Sequence, residues 1–133
     1  MRDKPSANVV AALFVKEGKM LVGKRPEGKA RAGLWEFVGG KTEKGETDQA
    51  ALIRECKEEL GVNIKVGEEY FRTSFGYTDI KITLALYRAE IENGEPTNIE
   101  HAELKWMSPE ETEGYEFCPA DAPILRYIKE KGL

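Results

Sequence analysis

Apolar residues follow two different periods along the chain, and the switches between them lay out the elements. Residues 9–15 (Val-Val-Ala-Ala-Leu-Phe-Val) form a short continuous apolar run, the pattern of a strand covered on both faces. Lys16-Glu17-Gly18-Lys19 reads as a hairpin turn, and residues 20–25 as the returning strand. Residues 26–33 are polar and carry glycine, so a loop is expected there. Residues 34–38 are strand-like and end in Gly39-Gly40, and residues 41–46 form a second loop. From Thr47 to Leu60 the period becomes helical, with Thr47 as N-cap, Asp48 in the first turn and Gly61 just past the last turn. Ala50, Ile53, Cys56 and Leu60 recur at three- and four-residue intervals and are expected to face the core.

Strand signals return over residues 64–75, 80–91 and 104–107. Ser108-Pro109-Glu110-Glu111 has the N-cap, proline and glutamate positions of a helix start. A last helix is expected over about residues 121–131. This order predicts an α/β (α+β) chain, with helices packed on a mixed sheet as a three-layer α/β/α sandwich. At 133 residues it reads as one domain spanning 1–133.

Charge narrows the function. The net charge is −4, but residues 1–31 hold eight basic against three acidic groups, leaving twelve basic and twenty-one acidic groups in the remainder. The early basic cluster (Lys24, Arg25, Lys29, Arg31) suits a polyanion, while the acidic balance of the whole chain argues against a nucleic-acid polymer. A small phosphorylated ligand that brings a metal ion fits both facts. One histidine and two cysteines, all far apart in sequence, are too few for a zinc cluster. Two cysteines without a signal sequence point to a reducing, cytoplasmic setting, and no run of apolar residues is long enough to span a membrane.

The chemistry is concentrated in the second half of the first helix. Glu55, Glu58 and Glu59 stand at i, i+3 and i+4 and share one face, where like charges repel. Arg54 reaches Glu58 at i+4 but cannot neutralise three carboxylates. A divalent cation relieves the repulsion, and oxygen-only donors select Mg²⁺ or Mn²⁺ over zinc. Gly39-Gly40-Lys41-Thr42 suggests a P-loop, but the earlier glycine of that motif would fall on Trp35. No EF-hand pattern of alternating Asp or Asn before a glycine occurs.

The acidic helix belongs to a longer array. Gly40 is followed after five residues by Glu46 and after seven more by Arg54-Glu55-Cys56-x-Glu58-Glu59-x-Gly61-Val62. This resembles the signature of the Nudix hydrolases, G-x5-E-x7-R-E-U-x-E-E-x-G-U with U a bulky aliphatic. The one departure is Cys56 at the first U, a position that packs rather than ligates. The resemblance implies a Nudix fold and a metal site of Glu55, Glu58 and Glu59 helped by the Gly39 carbonyl. It implies that Arg54 holds Glu55 in place by a charge-assisted hydrogen bond. It makes Glu55 the first choice and Glu100 the second for the general base, with Glu100 also an extra ligand. Gly40, Glu46 and Gly61 take structural places in the motif.

Residues 34–41 (Leu-Trp-Glu-Phe-Val-Gly-Gly-Lys) resemble the segment before the signature in MutT-type 8-oxo-dGTP diphosphatases and CTP pyrophosphohydrolases. The resemblance implies a Mg²⁺-dependent nucleoside triphosphate pyrophosphohydrolase that attacks the β-phosphorus and clears oxidised or non-standard nucleotides. Pyrimidine nucleotides, nucleotide sugars and dinucleotides are the rival substrates, and a non-catalytic nucleotide sensor is the rival of another class. Arg25 is expected to contact phosphate or substrate, and Phe37 to stack on the base or fill the core. Asp121 is expected to read the base or to N-cap the last helix. His101 reads as a local hydrogen-bonding group. The partner is a small-molecule nucleotide, and a monomer and a homodimer are both compatible with the sequence.

Overall fold

The computed structural model describes residues 4–133. Eight strands and two helices follow in order: β1 (Ser6–Leu13), β2 (Val15–Lys16), β3 (Lys19–Lys24), β4 (Trp35–Phe37), β5 (Gly39–Lys41), α1 (Asp48–Leu60), β6 (Ile64–Gly76), β7 (Lys81–Ile91), β8 (Glu103–Met107) and α2 (Ala122–Lys131). Two 3-10 turns, Glu111–Gly114 and Pro119–Asp121, lie between β8 and α2. The hairpin joining β2 and β3 turns on Glu17 and Gly18, both at positive φ (53° and 75°), as a two-residue turn between twisted strands requires.

The strands form two four-stranded sheets. One has the order β5-β1-β7-β6 and is mixed, with β1 and β7 parallel; in the other β3 is central, paired with β2, β4 and β8. The continuous apolar run of β1 is explained by cover on both faces. Val10 and Ala12 enter one core cluster with Ala51, Leu52, Cys56 and Leu60 of α1; Ala11 and Leu13 enter the other with Ile124 and Ile128 of α2. The expected layering of helix, sheet and helix is what forms.

Three expectations change in detail. The segment expected as one strand ending at Gly39-Gly40 divides at the buried Val38, which carries the chain from one sheet to the other. Glu36 pairs with Gly23 of β3, while Gly39, Gly40 and Lys41 pair with Ala11, Val10 and Val9 of β1. The helix start at Ser108 forms its reciprocal cap: the Glu111 N–H donates to Ser108 Oγ (3.2 Å) and the Ser108 N–H to Glu111 Oε1 (3.0 Å). It nevertheless stops after a single 3-10 turn, because β4 draws the chain back: the Trp35 N–H donates to the Glu116 carbonyl and the Cys118 N–H to the Trp35 carbonyl, both at 2.9 Å. That return places residues 118–121 beside β4.

The third change is the phase of α1. Its ends are as expected, with the Ala50 N–H donating to Thr47 Oγ1 (3.1 Å) and Gly61 left-handed at φ 68°. Its buried stripe, however, is Ala51, Leu52, Cys56 and Leu60, while Ala50 and Ile53 face outward. Rotating the helix this way turns Glu55 and Glu59 inward. Leu52→Ala is therefore expected to cost about 2–5 kcal/mol of unfolding free energy and Ile53→Ala no more than about 0.5 kcal/mol, both read by urea denaturation.

Candidate active site

Arg54 organises the signature. It donates from Nε and Nη2 to the two oxygens of Glu46 (2.8 and 2.9 Å), from Nη1 to Glu55 Oε1 (2.6 Å), and from Nη2 to the Lys41 carbonyl (3.1 Å). A longer Nη1 contact reaches Glu58 Oε2 at 3.4 Å. This planar fork ties the 41–46 loop to α1. Glu46 also accepts from the Glu43 N–H (2.8 Å). The Arg54 guanidinium, and after it that N–H, hold the Glu46 carboxyl down to about 2.

The three glutamates of the acidic face have unequal surroundings. Side-chain exposure is 14% for Glu55 and 12% for Glu59, against 54% for Glu58. The Glu55 carboxylate lies against Gly40, where a Cβ would overlap it, so glycine is required for this approach. Glu59 is pushed well above the usual carboxylate range, first by burial, then by its hydrogen bond to Glu55 and the nearby charges of Glu55, Glu36 and Glu100. Among the described residues, no three acidic, histidine or cysteine side chains converge into a ready-made ligand cluster. The donor chemistry nonetheless fits a hard divalent cation. Burial and neighbouring acids disfavour the Glu59 charge, which a cation would relieve, and the exposed Glu58 and Glu100 line the same groove.

This groove, about 490 Å³ in volume, is lined by Glu55, Glu58, Glu59, Glu100 and Gly40 together with Arg25, Pro26 and Lys29 of the basic loop. A second cavity of about 260 Å³ adjoins it and shares Arg25, Glu36, Gly39, Gly40 and Lys41 as a common wall. The second cavity is floored by Phe37, Leu84 and Ala120 and edged by Arg31, Tyr77 and Asp121. Arg25 is fixed there: its Nη1 donates to Glu36 Oε1 (3.0 Å) and its Nε to the Ala30 carbonyl (2.7 Å).

The expected site residues divide among these places. Arg25, Gly39, Gly40, Glu55, Glu58, Glu59 and Glu100 line the groove, and Phe37 and Asp121 line the adjoining cavity. Phe37 also belongs to the core cluster that includes α2, so its core role holds. Glu46 stands behind Arg54 and Gly61 closes α1. Asp121 occupies the N-cap position of α2 but makes no capping hydrogen bond; its side chain is buried. Burial first, then the Glu36 charge, push its carboxyl well up, against the opposing Phe37 backbone contact and Arg25 charge. A protonated Asp121 donates as well as accepts.

Glu36, His101 and Tyr77 also line these spaces, although nothing in the signature points to them. A signal for Glu36 existed: it is the one charged residue between two large aromatics, Trp35 and Phe37, and strand alternation turns it to the face opposite theirs.

The Glu59 environment sets a pH dependence. Its carboxyl titrates near 4.5 when unfolded and far higher when folded, so folding takes up a proton above pH 4.5. The cation-free protein is therefore expected to lose stability as pH rises from 4.5 through neutrality, and Mg²⁺ to restore it. Glu59→Gln is expected to flatten that slope and to remove the Mg²⁺ effect, as read by thermal melts at pH 5 to 9.

A family profile for the NUDIX domain matches residues 9–127. The CTP pyrophosphohydrolase of Escherichia coli is 41% identical over 117 residues, covering 88% of this chain and 87% of that protein. The 8-oxo-dGTP diphosphatase of Haemophilus influenzae is 34% identical over 127 residues, covering 95% and 93%. Among solved structures, the E. coli ORF135 protein superposes with a TM-score of 0.80 at 37% identity, covering 96% of this chain and 91% of that one. The MutT protein of Methanosarcina mazei superposes with a TM-score of 0.88 at 25% identity, covering 98% of both. With the profile spanning residues 9–127 and the two relatives covering 88% and 95% of the chain, this protein belongs to the Nudix hydrolase family.

Proposed function

We propose that the protein is a divalent-cation-dependent nucleoside triphosphate pyrophosphohydrolase, converting NTP or dNTP to the monophosphate and pyrophosphate. The observation that carries this reading is the common wall. A cavity that combines Phe37, Leu84 and Tyr77 with the buried Asp121 suits a nucleobase, and it adjoins a groove lined by carboxylates together with Arg25 and Lys29. A nucleotide laid across the wall places its phosphates among those charges.

The four glutamates 55, 58, 59 and 100, with the Gly39 carbonyl, would hold Mg²⁺ or Mn²⁺, which neutralises phosphate charge and lowers the pKa of a water. Arg54 orients Glu55, and Gly40 leaves its carboxylate room. Glu55 takes the proton of the water that attacks the β-phosphorus in line. The bond from that phosphorus to the α–β bridging oxygen breaks, the nucleoside monophosphate leaves, and the new oxygen stays in pyrophosphate. Glu100 is the alternative base: it is exposed in the same groove, while Glu55 Oε1 is taken by Arg54.

The favoured substrates are 8-oxo-dGTP and other non-standard nucleotides, with Asp121 lining the cavity that would take the base. CTP-type pyrimidines are the second reading, favoured by the 41%-identical relative.

A panel of 8-oxo-dGTP, dGTP, CTP and 5-substituted dCTP with Mg²⁺ should release pyrophosphate, carrying ¹⁸O when run in labelled water. Orthophosphate, or label in the monophosphate, would refute attack at the β-phosphorus. Nucleotide binding without turnover would indicate a sensor. Glu55→Gln is expected to lower kcat by about 10²–10⁴ if Glu55 is the base, with the smaller loss in Glu100→Gln.

A further inference from the structure

His101 is the chain's one histidine, and its side chain is 4% exposed. The loop that carries it is pinned from two sides. The Thr97 and Ile99 N–H groups donate to the Leu60 and Glu59 carbonyls at the end of α1 (2.8 and 3.2 Å), and the Ala102 N–H donates to the Lys24 carbonyl at the end of β3 (2.8 Å). The His101 N–H itself donates to the Asn98 side chain (3.0 Å). These anchors press the imidazole onto Gly23, where a methyl group would overlap the ring. Glu36 is the residue paired with Gly23 across the β3–β4 ladder, so the ring lands beside its carboxylate.

The two ring nitrogens differ sharply. Nδ1 is buried with no partner among the described residues. Nε2 lies 3.2 Å from Glu36 Oε2 and 3.8 Å from Glu59 Oε1. With no partner at Nδ1, the tautomer protonated at Nε2 is the one that directs a donor at the Glu36 carboxylate. Leaving a buried nitrogen unpaired is unfavourable, so filling the space above Gly23 does not by itself account for an imidazole here.

We propose that His101 is a positioning residue that joins the two halves of the site, holding Glu36 of the nucleobase wall by a hydrogen bond while its Nε2 stands 3.8 Å from Glu59 of the acidic helix. It stands in a row of charged and polar groups that runs from Arg25 through Glu36 and His101 to Glu59, one helical turn from the Glu55–Arg54–Glu46 group. Without Nε2, Glu36 keeps Arg25 as its one hydrogen-bonding side chain among the described residues. The inference rests on the functional reading above, through the assignment of Glu59 to the cation.

The test compares wild type with His101→Phe, which keeps ring volume without nitrogens, and His101→Gln, whose amide N–H replaces Nε2–H. Mn²⁺ binding is titrated by electron paramagnetic resonance without nucleotide, and KM and kcat are then measured with Mg²⁺. His101→Phe is expected to weaken Mn²⁺ binding about 10-fold or more and to raise KM as well as lower kcat, with His101→Gln recovering most of both losses. A folded His101→Phe with wild-type Mn²⁺ affinity and kinetics, differing in Tm alone, overturns the proposal. So does a His101→Gln as defective as His101→Phe. Should His101→Phe not fold, the shorter His101→Asn, which reaches neither carboxylate, is read in its place with the same two outcomes. A wild-type protein that binds no Mn²⁺ overturns the function and this inference together, whereas binding and turnover indifferent to residue 101 overturn this inference alone.

Discussion

Two glutamates one helical turn apart, Glu55 and Glu59, are folded into a space with little water, and the rest of the site is arranged around that fact. Buried like charges are unstable unless something shares the cost. On one side Arg54 answers Glu55 with a bonded guanidinium and hands the remaining charge to Glu46, which it keeps ionised. On the other side Glu59 has the His101 ring at 3.8 Å and further acids, and among the described residues no arginine pairs with it. The asymmetry leaves one member of the pair neutralised by the fold and the other not.

That arrangement imposes itself on the backbone. Gly40 is glycine because the Glu55 carboxylate occupies the place of its side chain, and Gly23 plays the same part for His101. The rotation of α1 follows from the same demand: Ile53 is left 43% exposed while two glutamates turn inward. An apolar residue in water costs less than losing the site, and Leu52, Cys56 and Leu60 bury enough surface to hold the helix down.

The crossing at Val38 makes a groove of these parts. As the chain leaves one sheet and joins the other, Glu36, Gly39, Gly40 and Lys41 line both spaces at once. Glu36 therefore bears on Asp121 in one cavity and on Glu59 in the other. The acid buried in the apolar cavity and the acid buried in the groove are linked through this one segment.

Much of this was legible in the chain. The apolar run of β1, the Glu17-Gly18 turn and the caps of α1 are local signals with local causes, and the structure keeps them. The spacing from Gly40 to Val62 was enough to indicate the family and the acidic residues that matter, because a helix converts i, i+3 and i+4 directly into proximity. Pairings between segments far apart were not legible. The capped turn at Ser108 has every mark of a helix start, but hydrogen bonds from Trp35 outcompete it. Asp121 has a residue type and position suited to capping, but its fate was settled by burial between β4 and α2. His101 and Glu36 are 65 positions apart, and only the β3–β4 and β3–β8 ladders bring them to one point. The chain's local pattern accounts for β1, the Glu17-Gly18 turn and the ends of α1, since these depend on neighbours within a turn or two. Only the tertiary structure decided which carboxylates are buried, which are paired and which are left for a cation, because desolvation and long-range contact exist only once the sheets have closed.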